Sequence, residues 1–125
     1  MTMGIMNMTN PLLPSKSEIW MVDFNPSTGA EINKTRPAVV ISEDSIGKLP
    51  LRILVPITDW KPSYHTYPWF VHFTPSPVNG LTKESGADAF QIKSLSVNRF
   101  RYRIGKLTAT EQKLIIDSVL LCIGV

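Results

Sequence analysis

The sequence predicts a mainly β chain ending in one helix: a small barrel or strongly curved sheet with the helix packed on it. Three observations predict it. Several short runs rich in β-branched and aromatic residues are separated by Pro, Gly and Asn turn chemistry. Near the C-terminus, Thr108-Ala-Thr-Glu111 has capping-box spacing and opens a segment with apolar residues at helical intervals. The length of 125 residues, with 43% hydrophobic and 18% charged content, suits one globular domain with a core of ordinary size.

The strands come first. Ile19 to Phe24 is aromatic and β-branched, and Asn25-Pro26-Ser27-Thr28-Gly29 ends it. Ala38 to Ser42 is a compact apolar run, read as a central strand that begins just after Pro37. Leu51 to Thr58 follows, and Pro56 within it points to an edge or a bulge. Trp69 to Phe73 and Ala87 to Ile92 supply two more strands. Arg101 to Ile104 supplies a last one, its arginines facing solvent or ligand. Two connections are long. Asn25 to Thr35 carries Glu31, Asn33 and Lys34, while Asp59 to Pro68 mixes aromatics, a cation and two prolines. Loops of this length inside a compact domain are more often functional than not.

The helix is marked at both ends. Thr108 can accept from the Glu111 N–H while Glu111 reaches back, Ile115, Val119, Cys122 and Ile123 recur at helical spacing, and Gly124 is a C-terminal stop. Cys122 is the single cysteine, so an intramolecular disulfide is excluded; it reads as a small buried side chain in a protein of the reducing cytoplasm. Residues 1–15 carry four methionines, lack the basic and apolar regions of a signal peptide, and read as a disordered extension before a single domain over 16–125, with Met8 as an alternative start. Leu114 to Val125 is too short to span a bilayer and is interrupted by Asp117.

The net charge of +3 is unevenly placed. Between Gln91 and Lys113, Lys93, Arg99, Arg101, Arg103, Lys106 and Lys113 stand against Glu111 alone. Such a stripe favours an anionic partner, nucleic acid among them; a solvated strand face reads the same way. His65 and His72 do not have metal-ligand spacing with the lone cysteine, and no dinucleotide fingerprint, Walker loop or serine elbow is present. His72, between Val71 and Phe73, reads as an exposed position on an alternating strand.

Arg36 is the most telling residue. A guanidinium set directly before Pro37 and a buried strand needs a partner, because it cannot be desolvated cheaply alone. Glu31 could supply one in a surface ion pair; a phosphate could supply the other. Cleaving a phosphodiester without a metal requires a proton acceptor for the 2′-hydroxyl, a donor for the leaving oxygen and cationic support for the crowded phosphorane. Arg suits the last task because its planar fork meets two phosphate oxygens at once. Thr58, ending the run Val55-Pro-Ile-Thr58, could orient that phosphate, though alone it reads equally as a strand-end turn former. Trp60, Tyr64, Tyr67 and Trp69 beside Lys61 and His65 could stack unpaired bases or simply pin their own loop.

Three ordered blocks carry a family resemblance: Glu18-Ile-Trp-Met-Val-Asp-Phe-Asn-Pro-Ser-Thr-Gly-Ala-Glu31 leading to Lys34-Thr-Arg-Pro-Ala-Val-Val-Ile-Ser42, then Leu54-Val-Pro-Ile-Thr58, then Asp88-Ala-Phe-Gln-Ile-Lys-Ser-Leu-Ser-Val-Asn-Arg-Phe100. From about Lys16 to the C-terminus the chain resembles the MazF/PemK (Kid) family of toxin endoribonucleases. The resemblance implies an SH3-like curved barrel of five to six strands with a C-terminal helix, as a homodimer. It implies cleavage of single-stranded RNA, sequence-selective and without metal or other cofactor, to a 2′,3′-cyclic phosphate and a 5′-hydroxyl. It also implies a cognate antitoxin, a small acidic protein with a disordered tail, and a cytoplasmic setting. By motif position Arg36, Thr58 and Glu31 become the catalytic residues, and Gln91 a substrate contact. Lys34, Lys93, Trp60 and Arg101 are further candidates for holding the RNA. Ala30 departs from the family, where many members carry Ser. Guanidinium already carries its proton, so Arg36 is expected as stabiliser and donor, with Glu31 the candidate acceptor. Two other readings compete: a CcdB-like toxin that binds gyrase, against which Arg36 with Thr58 argues, and a non-catalytic RNA-binding module.

Overall fold

The computed structural model of the protein describes residues 13–46 and 49–125. Seven strands and one helix follow in order: β1 (Glu18–Asp23), β2 (Thr35–Val40), β3 (Leu51–Asp59), β4 (Phe70–Phe73), β5 (Ser85–Asp88), β6 (Lys93–Ser96), β7 (Phe100–Lys106) and α1 (Ala109–Cys122). All the strand pairs are antiparallel, in the order β4-β5-β3-β2-β1-β7, with β6 also on β3. The expected mainly β architecture with a terminal helix is therefore observed. The strand count is one to two higher than expected, and the hydrogen-bonded path is open, with β4 and β7 at its ends.

The chemistry of β3 explains the bend. Along one edge it pairs with β2 at Leu54, Val55 and Pro56; along the other it pairs first with β6, through Leu51–Leu54, and then with β5, through Ile57–Asp59. Pro56 was expected at an edge or bulge. It lies inside the sheet, opposite Ala38, at the interval where the second edge passes from β6 to β5. A residue without an N–H is tolerated where a ladder lapses.

Strands β1 to β3 are buried on both faces. Ile19, Val39, Val55 and Ile57 share a core with Phe73, Leu81, Leu107 and the helix residues Ile115 and Val119. Trp20, Val22, Phe24, Ala38, Val40, Leu54 and Phe100 form a second core on the alternate positions. Burial on two faces is why Ala38-Val-Val40 is a continuous apolar run.

Helix α1 starts as expected. Thr108 Oγ1 accepts from the Glu111 N–H at 3.2 Å and Glu111 Oε1 accepts from the Thr108 N–H at 2.9 Å. Gly124 takes φ +81°, a left-handed stop that a side chain resists. Cys122 is only half-buried, a correction to its expected burial, because it lies on the last turn of the helix.

Several boundaries differ from expectation. The run Ala87 to Ile92 is not one strand: β5 ends at Asp88, whose carboxylate accepts from the Phe90 N–H and starts a 3-10 turn over Ala89–Gln91. Strand β6 was not expected. Strand β2 begins before Pro37 rather than after it. The expected disordered extension falls outside the described residues up to residue 12. Pro14 is buried, and its carbonyl accepts from Arg52 Nε at 2.8 Å. Among the described residues no helix is long and apolar enough to cross a membrane.

Candidate active site

The ladder between β2 and β3 stops at Ala38 opposite Pro56. Beyond that last pair, Pro37 and Arg36 continue β2 while Ile57 and Thr58 continue β3 and pair only with β5. Pro37 has no N–H to offer where this pairing lapses. Arg36 and Thr58 therefore stand at an opening of the sheet, both half-buried, and both line two adjacent cavities of about 350 Å³ and 160 Å³.

Arg36 is held by one bond. Its Nε donates to the Asn33 carbonyl at 3.2 Å, and among the described residues its two Nη groups meet no acceptor. The ion pair considered with Glu31 does not form. Glu31 Oε1 instead accepts from the Thr28 N–H at 2.7 Å, closing a turn in which the Glu31 N–H donates to the Thr28 carbonyl at 3.1 Å. The second oxygen of Glu31 has no partner among the described residues, and Glu31 lines the smaller cavity with Arg36 and Thr58. The Thr58 hydroxyl is likewise unpartnered. A planar cation, a hydroxyl and an exposed carboxylate thus converge with their reactive atoms unspent.

The loop between β1 and β2 is shaped by its own polar groups. Lys34 sits at φ +65°, unusual for a residue with a side chain, and its N–H donates to Asn25 Oδ1 at 3.1 Å. Its ammonium is exposed. Gln91, expected at the substrate, is occupied inside the chain: Oε1 accepts from the Ile32 N–H at 2.5 Å, and Nε2 donates to Asp88 Oδ2 at 3.2 Å and to the Ala30 carbonyl at 3.4 Å.

The remaining candidates divide. Arg101 is in an ion pair with Asp23 at 3.0 Å, and Arg103 with Glu18 at 3.0 Å, so acids of β1 answer part of the basic stripe that the linear sequence displays. Arg99 donates to the carbonyls of Asp23 and Asn25 and makes no ion pair among the described residues. Lys93 stays available, its ammonium 5.9 Å from the Phe24 ring centroid. Trp60 is committed internally. It stacks on His72 at 4.2 Å and meets Tyr64 edge-on. A Cβ on Gly86 would lie 2.9 Å from its indole, so only glycine leaves room there. His72 is exposed, as expected, and also meets Glu84 at 2.8 Å. The loop is pinned by its own aromatics, the blander of its two readings.

Two residues escaped the sequence reading. Phe90 is 65% exposed and lines a third cavity with Trp69, Lys93 and Gln91. Its signal was an aromatic inside a run mistaken for strand. Asp88 is 8% exposed, and burial pushes its carboxyl above the ordinary value against the hydrogen bonds from Gln91 and Phe90. No group of three His, Cys, Asp or Glu able to hold a metal ion occurs among the described residues.

Residues 15–122 match a family model described as the PemK-like, MazF-like toxin of type II toxin–antitoxin systems. A Mycobacterium tuberculosis protein named endoribonuclease MazF9 is 34% identical over 102 residues, covering 77% of this chain and 84% of its own length. Among solved structures, MazF from Deinococcus radiodurans superposes with a TM-score of 0.76 at 22% identity, covering 90% of this chain and 98% of that one. A mycobacterial endoribonuclease in complex with its cognate antitoxin superposes with a TM-score of 0.70 at 18% identity, covering 90% and 96%.

Proposed function

Because the chain belongs to the PemK-like, MazF-like family of toxins of type II toxin–antitoxin systems, we propose that it is a sequence-selective endoribonuclease. It cleaves single-stranded RNA without a metal, leaving a 2′,3′-cyclic phosphate and a 5′-hydroxyl. The observation that carries this reading is the Arg36 fork, whose Nη groups meet no acceptor among the described residues, lining one cavity with the Thr58 hydroxyl and Glu31.

The reaction needs one new bond and one broken bond at a single phosphorus. The 2′-oxygen attacks, the bond to O5′ breaks, and one proton passes in net from the 2′-hydroxyl to O5′. Glu31, with one carboxylate oxygen unspent, takes the first proton. Arg36 meets two non-bridging oxygens through its Nη groups, stabilises the charge that grows on them, and delivers a proton at the departing O5′, regaining one from solvent as Glu31 gives up its own. Thr58 fixes the phosphate by its hydroxyl. Each step is assigned to a side chain, so none calls on a metal.

RNA is held around that centre by the exposed cation Lys34, the half-buried Lys93 and Phe90, whose free face suits stacking on an unpaired base. Single-stranded substrate follows from this arrangement, since a paired base offers no face to Phe90. The protein acts as a homodimer in the cytoplasm and is held in check by an acidic antitoxin with a disordered tail. The mycobacterial neighbour solved with its cognate antitoxin, and the Deinococcus MazF solved with MazE, support that partner.

The test is incubation with a long single-stranded RNA in excess EDTA, with the fragments mapped. Cleavage at defined sites that persists in chelator supports the nuclease. Retention of RNA without cleavage would make the chain a binding module instead.

A further inference from the structure

Gln91 bridges two segments far apart in sequence, and its amide can serve both in only one orientation. The Ile32 N–H needs an acceptor and receives Gln91 Oε1; the Asp88 carboxylate needs a donor and receives Gln91 Nε2. The other Asp88 oxygen is fixed by the Phe90 N–H at 3.2 Å. From Ile32 the chain runs directly to Asn33, whose carbonyl holds Arg36 Nε. Buried Asp88 is thus linked, through Gln91 and the Ala30–Asn33 segment, to the orientation of the guanidinium.

We propose that Asp88 is a positioning residue of the active site: acting through the Gln91 amide, it locks the segment that carries Glu31 and orients Arg36. The inference rests on the roles given to Arg36 and Glu31 above. Its logic is one of polarity rather than bulk. Asp88 accepts only, so it selects the amide orientation that offers oxygen to Ile32. An Asn at 88 that keeps its oxygen on the Phe90 N–H would point an NH₂ at Gln91. Gln91 would then oppose donor to donor at residue 88, or flip and oppose donor to donor at Ile32. Either way one bond is lost and the loop is released.

The same logic supplies a rescue. A Glu at 91 accepts from Ile32 and, opposite an Asn at 88, from that residue as well. Opposite Asp88 it faces a second carboxylate. Three variants decide the matter: Asp88→Asn, Gln91→Glu and the two combined. Hydrogen exchange at the Ile32 amide reports the lock whether or not RNA is cleaved, and kcat and KM on a fluorogenic single-stranded RNA report its use. Each single change is expected to speed Ile32 exchange about tenfold. Each should lower kcat by up to roughly 100-fold, with KM far less altered. The combined variant is expected to recover both. Wild-type exchange at Ile32 in the single variants would overturn the proposal, as would a combined variant no better folded or protected than the worse single one. If the wild-type protein cleaves and these exchange results fail, the relay falls while the nuclease stands. If exchange behaves as expected but no RNA is cleaved, the lock stands and its assignment to cleavage falls.

Discussion

Arg36 on β2 and Thr58 on β3 line the same two cavities, just beyond Ala38 and Pro56 where the β2–β3 ladder ends. Two side chains lining one cavity from neighbouring strands can grip one phosphate from two sides. The arrangement is sturdy because the residues behind it are fully buried: Ala38, Val39 and Val40 on β2, and Leu54, Val55, Pro56 and Ile57 on β3.

Thr58→Val keeps the shape of the side chain and removes its hydroxyl. With no partner lost inside the protein, stability is expected to change by less than about 0.5 kcal/mol. Single-turnover cleavage is expected to slow by roughly 100-fold, as when one preorganised donor to a developing charge is lost. Thermal denaturation and quenched-flow cleavage on the same preparation check both halves.

Cations that touch RNA should show themselves in the salt dependence of binding. On a non-cleavable 2′-O-methyl RNA, Lys34→Gln and Lys93→Gln are each expected to reduce the slope of log affinity against log salt by about 0.7, the value for one single-strand phosphate contact. Arg101→Gln should reduce it less, because Asp23 already answers that charge. An equal effect at all three positions would assign Arg101 to the RNA.

Two aspartates should move stability in opposite directions with pH. Asp23 is held below its ordinary value, first by the Asn25 N–H and then by Arg101. Its contribution is present above the ordinary Asp value and is lost as pH falls through the lowered one. Asp88 is raised by burial, so the folded chain keeps that proton to higher pH than the unfolded chain. Its contribution is therefore greatest below the ordinary value and declines as pH rises through the raised one. Urea midpoints across the acid range should show the wild-type advantage over Asp23→Asn shrinking as pH falls. The wild-type stability relative to Asp88→Asn should fall as pH rises.

Gln112, on the buried side of α1, has neither amide atom hydrogen-bonded among the described residues. Gln112→Met replaces it with an apolar side chain of similar length. The exchange is expected to raise stability by about 1–2 kcal/mol. Urea denaturation measures this, and a loss of stability would mean that the amide is satisfied in solution.

What the sequence revealed of this architecture was mostly local. Thr108 and Glu111 declare the helix because the cap is made within four residues, and Ala38-Val-Val40 declares a strand buried on both faces. Strand β6 escaped because Lys93–Ser96 is short and polar, and only distant Leu51–Leu54 makes it a strand. The turn after Asp88 escaped because an aspartate capping its second neighbour looks, in one dimension, like a polar break in an apolar run. At the site, Arg36 and Thr58 were legible as chemistry in need of a partner. Glu31 was legible as a loop acid, but its bond to Thr28 was not. The roles of Arg101, Trp60 and Gln91 depended on neighbours 78, 12 and 59 residues away, and no local pattern encodes those meetings.

The most direct test of the account is Arg36→Ala in single-turnover cleavage of single-stranded RNA in EDTA, with the fragment ends identified by mass spectrometry and the stability of the variant measured alongside. The expected result is a folded protein with wild-type stability, wild-type chemistry ending in a 2′,3′-cyclic phosphate, and cleavage by the variant reduced by 100-fold or more, in the range of about 10²–10³ for a lost charge-stabilising donor. A folded Arg36→Ala protein that cleaves at close to the wild-type rate would contradict it.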